Sequence, residues 1–327
     1  MKKIVVIALL CAMVTGMAFA RGNQETGAEN FPTRPVTAMV AWAAGGGGDL
    51  VFRALGEAFQ RVTGQPLIIV NRGEAAGVPG IMDFKLNASA DGYNIMHWNL
   101  AHVIKTHWDE VPFTATEFVP VARVVVASNF LLVPTGSRWN TLQDYINYAR
   151  ANPGQVSIGN AGVGGGNHLA AVLFERVAGI QLRHVPFAGG GPSVTGLLTG
   201  DVVSSMNTPP EGAPQTSAGQ LRMLAVFGEN RLSEFPNVPT GREAGLDLVS
   251  DQWRGVVVPA GTPPAIVARL EDIFRQCVQD PAFVERMRGM GSTAAFTDAR
   301  TFGQIVADDD ARIGAMLREG RIGNRYR

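Results

Sequence analysis

The chain has 327 residues, a formal net charge of zero and an ordinary composition apart from its 39 glycines. A neutral chain lacks the basic surface that nucleic acid or an anionic membrane attracts, so we expect no nucleic-acid partner. The length is sufficient for a large buried core divided between two domains or lobes.

The first twenty residues, 1–20, are typical of a secretory signal peptide. Two lysines precede the apolar run 4–17, and residues 18–20 give the small-x-small pattern of a cleavage site. We therefore expect an exported, periplasmic protein in which residues 21–30 form a flexible leader. An uncleaved anchor and a lipoprotein attached through Cys11 are the alternatives. The apolar run is shorter than the roughly 20 residues that span a bilayer, and bulky residues precede the cysteine.

Cys277 is the one cysteine left after removal of the signal peptide, so no intrachain disulfide is expected. It lies in the amphipathic run 266–278, where a small buried hydrophobic residue fits better than a catalytic thiol.

Strand and helix patterns alternate along the chain, which predicts α/β lobes, each with a mainly parallel sheet flanked by helices. Apolar runs predict strands, and i, i+3, i+4 spacing predicts helices. The strands are expected at 36–42, 66–70, 94–98, 130–133, 156–159, 181–185, 202–206, 221–227 and 253–258. The helices are expected at 50–62, 80–86, 141–152, after 162–166, at 194–198, 266–279, 281–288 and 301–318.

Three glycine-rich turns each link a predicted strand to a predicted helix, at 43–49, 162–166 and 189–193. Glycine leaves backbone N–H groups uncovered, and a helix N-terminus favours an anion. We predict that the three turns face one cleft. The alternative is that the glycines only permit close packing of strand and helix. Asp49 likewise has two interpretations, the N-cap of the first helix or a ligand contact.

The turns lack the motifs of nucleotide sites. Leu50 and Asn167 stand where the dinucleotide motif requires its third glycine, and no turn carries the Gly-Lys-Ser/Thr of a P-loop. No lysine or arginine lies in any of the three turns, whereas a polyphosphate needs a cation. A carboxylate held by N–H groups and helix dipoles, without an ion pair, is therefore the expected ligand.

Catalytic and metal motifs are not found. Ser193 lacks the final glycine of a nucleophile elbow, and His97, His102 and His107 recur every five residues, which does not place them on one helix face. No His-Glu-x-x-His or paired Cys/His motif occurs. We expect no enzyme activity, no metal and no cofactor.

An ordered set of short motifs resembles the substrate-binding receptors of tripartite tricarboxylate transporters, the Bug family. It extends from Phe31 to about Thr301. The motifs include Trp42-Ala43-Ala44-Gly45-Gly46-x-x-Asp49, Ala90-Asp91-Gly92-Tyr93, Gly162-x-Gly164-x-x-x-His168, Val185-Pro186-Phe187-x-Gly189, Trp253-x-Gly255 and Pro259-Ala260-Gly261-Thr262-Pro263. Gly48, Gly73 and Gly165 depart from the residues usual in the family.

The resemblance implies a two-lobed type II periplasmic binding protein with a hinge between its lobes. Lobe 1 is expected at 31–129 plus 251–327, and lobe 2 at 130–250. The implied function is capture of a small di- or tricarboxylate, or an amino or aromatic acid, for membrane permease subunits, by a receptor expected to be a monomer. The alternatives are an exported hydrolase or lyase and a sensory receptor with the same cleft. The predicted ligand-binding residues are Trp42, Ala44, Gly45, Gly46, Gly47, Gly48, Asp49, Asn99, Gly162, Gly164, Gly165, Gly166, His168, Phe187, Ala188, Gly189 and Asn207.

Overall fold

Eleven strands form two separate sheets in the computed structural model, which describes residues 29–326. The predicted signal peptide, 1–20, and residues 21–28 of the predicted leader lie outside the described residues. The strands are β1 (Val36–Val40), β2 (Leu67–Asn71), β3 (Asn94–Asn99), β4 (Val119–Ser128), β5 (Phe130–Pro134), β6 (Ser157–Asn160), β7 (Arg183–Pro186), β8 (Ser204–Asn207), β9 (Leu221–Val226), β10 (Asp251–Val258) and β11 (Thr293–Thr297).

Helices follow most strands and cover the sheets. They are α1 (Gly47–Thr63), α2 (Val78–Asn87), α3 (Leu100–Trp108), α4 (Leu142–Ala151), α5 (Gly166–Ala178), α6 (Gly190–Thr199), α7 (Pro209–Ser217), α8 (Pro264–Gln279), α9 (Pro281–Gly289) and α10 (Ala299–Gly320). None of the helices within residues 29–326 is long and apolar enough to cross a membrane.

The first sheet has the order β11-β4-β10-β3-β1-β2, and the second has the order β7-β6-β8-β5-β9. In the first, β1 runs parallel to β2 and β3, while β10 runs antiparallel to β3 and β4, and β11 antiparallel to β4. In the second, β6 runs parallel to β7 and β8, and β5 antiparallel to β8 and β9. The prediction of mainly parallel sheets is therefore wrong: both are mixed. The strands next to the crossings between sheets, β4, β5, β9 and β10, take part in the antiparallel pairs.

Each sheet has its own aromatic core. Phe52 and Phe59 of α1 are fully buried against the first sheet and pack in one cluster with Phe274 of α8. Tyr145 and Phe174 are fully buried against the second sheet. Aromatic side chains bury 150–250 Å² each, so these residues dominate the energy of their cores.

Cys277 is fully buried in the first core, as its amphipathic position predicts. Burial raises the pKa of its thiol to about 12. The thiol is therefore protonated at neutral pH, in agreement with a packing role.

The chain passes between the sheets at two adjacent places. Asn129 lies between β4 and β5, and its backbone N–H and side-chain amide both donate to the Ser250 carbonyl, at 2.9 and 3.0 Å. Phe227, just after β9, donates to the Asn129 carbonyl at 2.7 Å. The two crossings thus run side by side and are hydrogen-bonded to each other, which is the arrangement of a hinge.

Candidate functional site

A small cavity lies between the two sheets, where the three glycine-rich turns meet. The centres of water molecules can occupy ≈ 40 Å³ of it. At about 10–15 Å³ for each water, this is room for roughly three. The lining residues are Trp42, Ala43, Gly46, Gly47, Gly48, Asn99, Ala101, Ala161, Gly166, Asn167, Gly189, Gly190, Glu211, Gln252 and Arg254.

Three helices begin at this cavity. The N-caps of α1, α5 and α6 are Gly46, Gly165 and Gly189, and none of them has a side-chain cap. The first N–H groups of each helix have no intrahelical acceptor, and each helix brings about half a positive charge to its N-terminus. The cavity is therefore a place of positive potential that favours an anion.

Two charged groups approach Gly47 so closely that a side chain at this position would displace them. A Cβ atom there would lie 2.6 Å from Nη2 of Arg254 and 3.1 Å from Oε1 of Glu211. The same applies at Gly190, where a Cβ atom would lie 2.0 Å from Cδ of Glu211. The two glycines thus let the helix N-termini reach the charged side chains of the cavity.

Arg254 supplies a buried cation to this cavity. It lies on β10 directly opposite Asn99 of β3, and its side chain is 3% exposed. Nη2 donates to Oγ1 of Thr208 at 3.0 Å, while Nε and Nη1 have no hydrogen-bond partner among the described residues. Burial lowers the pKa of Arg254, and the charge of Glu211 opposes that shift. An arginine keeps its proton in proteins, so the guanidinium offers unpaired charged donors. The prediction of a cleft without a cation is therefore wrong.

Glu211 supplies the opposite charge from α7. Its Oε2 accepts from Nδ2 of Asn167, Nδ2 of Asn207 and the Thr208 backbone N–H, at 3.1, 3.2 and 3.0 Å. Its Oε1 accepts from the Gly47 N–H at 3.3 Å. One oxygen is thus held by the second sheet's own residues, whereas the other reaches across the cavity to α1.

A hydrogen-bonded chain links this carboxylate to the crossings. Nε2 of Gln252 donates to Oδ1 of Asn167 at 2.7 Å and to Oδ1 of Asn129 at 2.8 Å. Asn167 in turn donates to Glu211. The cavity and the hinge are therefore connected through buried amides, each satisfied by the next.

Two histidines beneath the α1 turn are neutral. His97 and His102 are fully buried, and burial lowers the pKa of His97 well below its ordinary value and that of His102 to about 3. His102 accepts the Asn99 N–H at its Nδ1 and stacks on Trp98, with ring centroids 4.6 Å apart. His102 therefore orders the start of α3, where Asn99 is the N-cap, and contributes no charge.

Asp49 does not cap α1 as an N-cap residue, because that position is taken by Gly46. Asp49 lies within the first turn, is 1% exposed, and accepts the Gly45 N–H and Nε of Arg53, both at 2.9 Å. It does not line the cavity. Its observed contacts are those of a carboxylate that stabilises the turn before α1.

The structure brings only part of the predicted binding set to the cavity. Trp42, Gly46, Gly47, Gly48, Asn99, Gly166 and Gly189 line it. Ala44, Gly45 and Phe187 line a wider depression that extends along α6. Asn207 supports Glu211 from behind. Asp49, Gly162, Gly164, Gly165, His168 and Ala188 do not line the cavity.

The turn 162–168 faces a tryptophan of the first lobe. A Cβ atom at Gly164 would lie 2.7 Å from the Trp108 ring, and the His168 ring centroid lies 4.8 Å from that of Trp108. Nδ1 of His168 accepts the Gly164 N–H at 3.0 Å. These residues therefore form a contact between α3 and the start of α5.

The prediction missed Arg254, Glu211, Gln252 and Asn167. A signal existed for Arg254, since an arginine inside the apolar run 253–258 must be buried with a partner or face a cavity. The sequence pattern at Glu211 indicates a different role, because Thr208-Pro-Pro-Glu211 has the spacing of a capping box and so predicts a helix cap rather than a residue that lines a cavity. Gln252 and Asn167 could be found only from the three-dimensional arrangement.

No group of three or more His, Cys, Asp or Glu side chains in residues 29–326 is placed to hold a metal ion.

Comparisons with known proteins identify the family. The model of the tripartite tricarboxylate transporter family receptor matches residues 51–322. A UPF0065 protein in the gbd 5′ region of Cupriavidus necator is 31% identical over 314 residues, 94% of each chain.

Solved structures agree with this match. The periplasmic binding protein BugD has a TM-score of 0.84 and 25% identity over 90% of this chain and 99% of its own. MatC from Rhodopseudomonas palustris, solved with bound malate, has a TM-score of 0.80 and 25% identity over 88% of this chain and 100% of its own. The predicted two-lobed periplasmic binding fold is thereby confirmed. The chain belongs to the tripartite tricarboxylate transporter receptor family.

Proposed function

We propose that this protein is an extracytoplasmic receptor that captures a small carboxylate in the cavity between its lobes. Lobe 1 would comprise 31–129 and 251–327, and lobe 2 would comprise 130–250. The observation that carries the proposal is the buried guanidinium of Arg254, a residue that lines a cavity where three helices with glycine N-caps begin. Two of its nitrogens have no partner among the described residues. The malate in MatC, a relative by fold and sequence, supports the same chemical class.

The energies are of the right size for such a ligand. A hydrogen bond to a charged group contributes about 1.5–3 kcal/mol, and a micromolar site needs roughly 8 kcal/mol net. Arg254 and the N–H groups of the helix N-termini can supply several such bonds to one carboxylate. A ligand that contacts both lobes stabilises their closed arrangement by its higher affinity for that arrangement.

Membership of the receptor family supports a role in transport. Export through the signal peptide 1–20 would place the receptor in the periplasm, where the closed form is presented to the permease subunits of a tripartite tricarboxylate transporter. We propose that the receptor is a monomer. We also propose that it has no catalytic activity, because the described residues that line the cavity include no serine, threonine, cysteine, lysine or histidine beside Arg254 and Glu211.

The test is a thermal-shift and calorimetric screen of small mono-, di- and tricarboxylates against the purified protein. At least one acid is expected to raise the melting temperature, and Arg254→Gln is expected to weaken its binding at least tenfold. Arg123→Gln is the matched control, since Arg123 lies on the neighbouring strand opposite Gly255 and does not line the cavity. A folded protein that binds none of the acids, or an Arg254→Gln variant with unchanged affinity, would contradict the proposal.

A further inference from the structure

We propose that the cavity selects a monocarboxylate with a hydrogen-bond donor beside it, an α-hydroxy or α-amino acid, over di- and tricarboxylates. In this assignment Arg254 binds the carboxylate and Oε1 of Glu211 accepts the hydroxyl or ammonium donor. The inference rests on the proposed function and names the substrate class for the same cavity.

The charge of the lining residues is the first argument. Among the residues from 29 to 326 that line the cavity, Arg254 and Glu211 are the only ones with ionisable side chains, so their formal charges cancel. One ligand carboxylate is then balanced by the helix N-termini and the guanidinium. A second carboxylate would be desolvated beside the Glu211 carboxylate without a cation of its own, which disfavours its binding.

The hydrogen bonding of Glu211 is the second argument. Its three contacts with Asn167, Asn207 and Thr208 all go to Oε2. Its Oε1 accepts a single, long bond from Gly47, which belongs to the other side of the cavity. Capping of α7 therefore uses one carboxylate oxygen and leaves the other, as an acceptor, to whatever lies in the cavity.

The geometry is the third argument. Nη2 of Arg254 and Oε1 of Glu211 approach the same point, since they lie 2.6 and 3.1 Å from the position of a Cβ atom at Gly47. A carboxylate and a donor on the adjacent carbon are the groups of a small molecule that can meet a cation and an acceptor placed so closely. The small cavity agrees with a compact ligand.

The alternative is that Glu211 is only a helix cap, and a second Thr-x-x-Glu turn provides the control for it. In Thr240-Gly-Arg-Glu243 the Thr240 N–H donates to Oε2 of Glu243 at 2.8 Å, as the Thr208 N–H does to Glu211. Glu243 does not line the cavity. Glu211→Gln and Glu243→Gln therefore remove a carboxylate from two Thr-x-x-Glu turns, of which the first faces the cavity. The second also loses its ion pair with Arg231.

The experiment is isothermal titration calorimetry with three matched sets of acids: propionate, lactate and alanine; 3-phenylpropionate, phenyllactate and phenylalanine; succinate, malate and aspartate. In at least one monocarboxylate set the hydroxy or amino acid should bind at least tenfold more tightly than its parent and than all three dicarboxylates.

In Glu211→Gln the amide oxygen can keep the contacts that Oε2 makes in wild type. The NH₂ group then takes the place of Oε1, so a donor replaces the acceptor that faces the cavity. The preference for the donor should then be lost, and dicarboxylates should bind more tightly than to wild type, whereas Glu243→Gln should behave as wild type.

The outcomes separate the two proposals. Binding of none of the acids would contradict the proposed function itself. Tightest binding of a dicarboxylate to wild type, or an unchanged preference in Glu211→Gln, would overturn the selectivity while the carboxylate receptor stands. Equal loss in Glu211→Gln and Glu243→Gln would show that capping alone matters and would also overturn it.

Discussion

Asp49 is buried at the first turn of α1, and its ionised form is stabilised there by its neighbours. Burial raises its pKa, but the bonds from Arg53, the Gly45 N–H and Asn71 lower it more, so the pKa lies below its ordinary value of 3.8. A group with a lowered pKa in the folded state stabilises the fold above its unfolded-state pKa. The contribution is lost as the pH falls through the folded-state value.

Asp49→Asn should therefore destabilise the protein more at neutral pH than in acid. At pH 7 we expect a loss of about 1.5–3 kcal/mol, the size of a hydrogen bond to a charged group. The difference from wild type should shrink below about pH 4, as Asp49 takes up its proton. Urea unfolding at a series of pH values measures it.

Asp83→Asn is the control, because Asp83 is exposed on α2 and bonds only to Asn87 among the described residues. Wild-type stability of Asp49→Asn at pH 7, or a deficit as large at pH 3 as at pH 7, would contradict the assignment.

At the scale of elements, local patterns predicted the positions of most helices well. The spacing of Val51, Leu55 and Phe59 gave α1, and the structure ends it at Gly64 with a φ of 72°, where glycine is favoured. The helices α3 and α7 were missed, and so were the strands β4 and β11. In α7 the prolines suppress a helical interpretation, although Pro209 and Pro210 lie in the first turn, where proline is accepted. Strand direction was predicted wrongly because the antiparallel pairing of β5 and β10 depends on contacts distant in sequence.

The glycine-rich turns of the candidate site were predicted from the sequence, whereas its charged residues, Arg254 and Glu211, were not. Uncovered N–H groups are a property of the local Gly45–Gly48 sequence. Arg254 on β10 and Gly47 at the start of α1 lie 207 positions apart along the chain (254 minus 47) and come together only in the folded protein. A search of the turns alone for lysine or arginine could not find it.

We expect a methyl group at the N-terminus of α1 to weaken carboxylate binding without unfolding the protein. In Gly47→Ala the methyl group would lie 2.6 Å from Nη2 of Arg254, inside van der Waals contact. The guanidinium and Glu211 must then shift, and we expect carboxylate affinity to fall at least tenfold with little change in unfolding free energy. Calorimetric titration and thermal unfolding on the same samples measure both.

Gly56→Ala is the matched control on the same helix, because its Cβ atom would meet Leu67 at an ordinary 3.4 Å. It should bind as wild type and be more stable by up to about 1 kcal/mol, since alanine favours a helix interior. Unchanged affinity in Gly47→Ala would mean that the α1 turn serves packing alone.

At the scale of the whole molecule, the cavity and the hinge form one polar system. Gln252 and Arg254 both lie near the start of β10, just after the crossing at Ser250. Through Gln252 the crossing at Asn129 is bonded to Asn167 and, by way of Asn167, to Glu211. Movement of one lobe relative to the other therefore changes the positions of both charged groups of the cavity. In the proposed binding mode, a ligand between them would act on the hinge through buried hydrogen bonds.

This coupling predicts that Gln252→Leu weakens binding by opening the receptor. Leucine removes the donor to Asn129 and Asn167 and leaves two buried acceptors unpaired, which costs about 1–3 kcal/mol each. Because those bonds join the crossing to α5, the closed form loses more stability than the open form. The apparent dissociation constant should rise in proportion to the lost closed population. Small-angle scattering should give a larger radius of gyration without ligand than wild type, and saturating ligand should restore the wild-type bound value.

Gln143→Leu on α4 removes an exposed amide that bonds to Asn147 and should change neither quantity. Weaker binding in Gln252→Leu with an unaltered radius of gyration would place its effect in direct ligand contact. Wild-type affinity together with a larger radius would instead separate the hinge from the cavity. Either result would show that the hydrogen-bonded chain from Asn129 to Glu211 does not couple closure of the lobes to ligand binding.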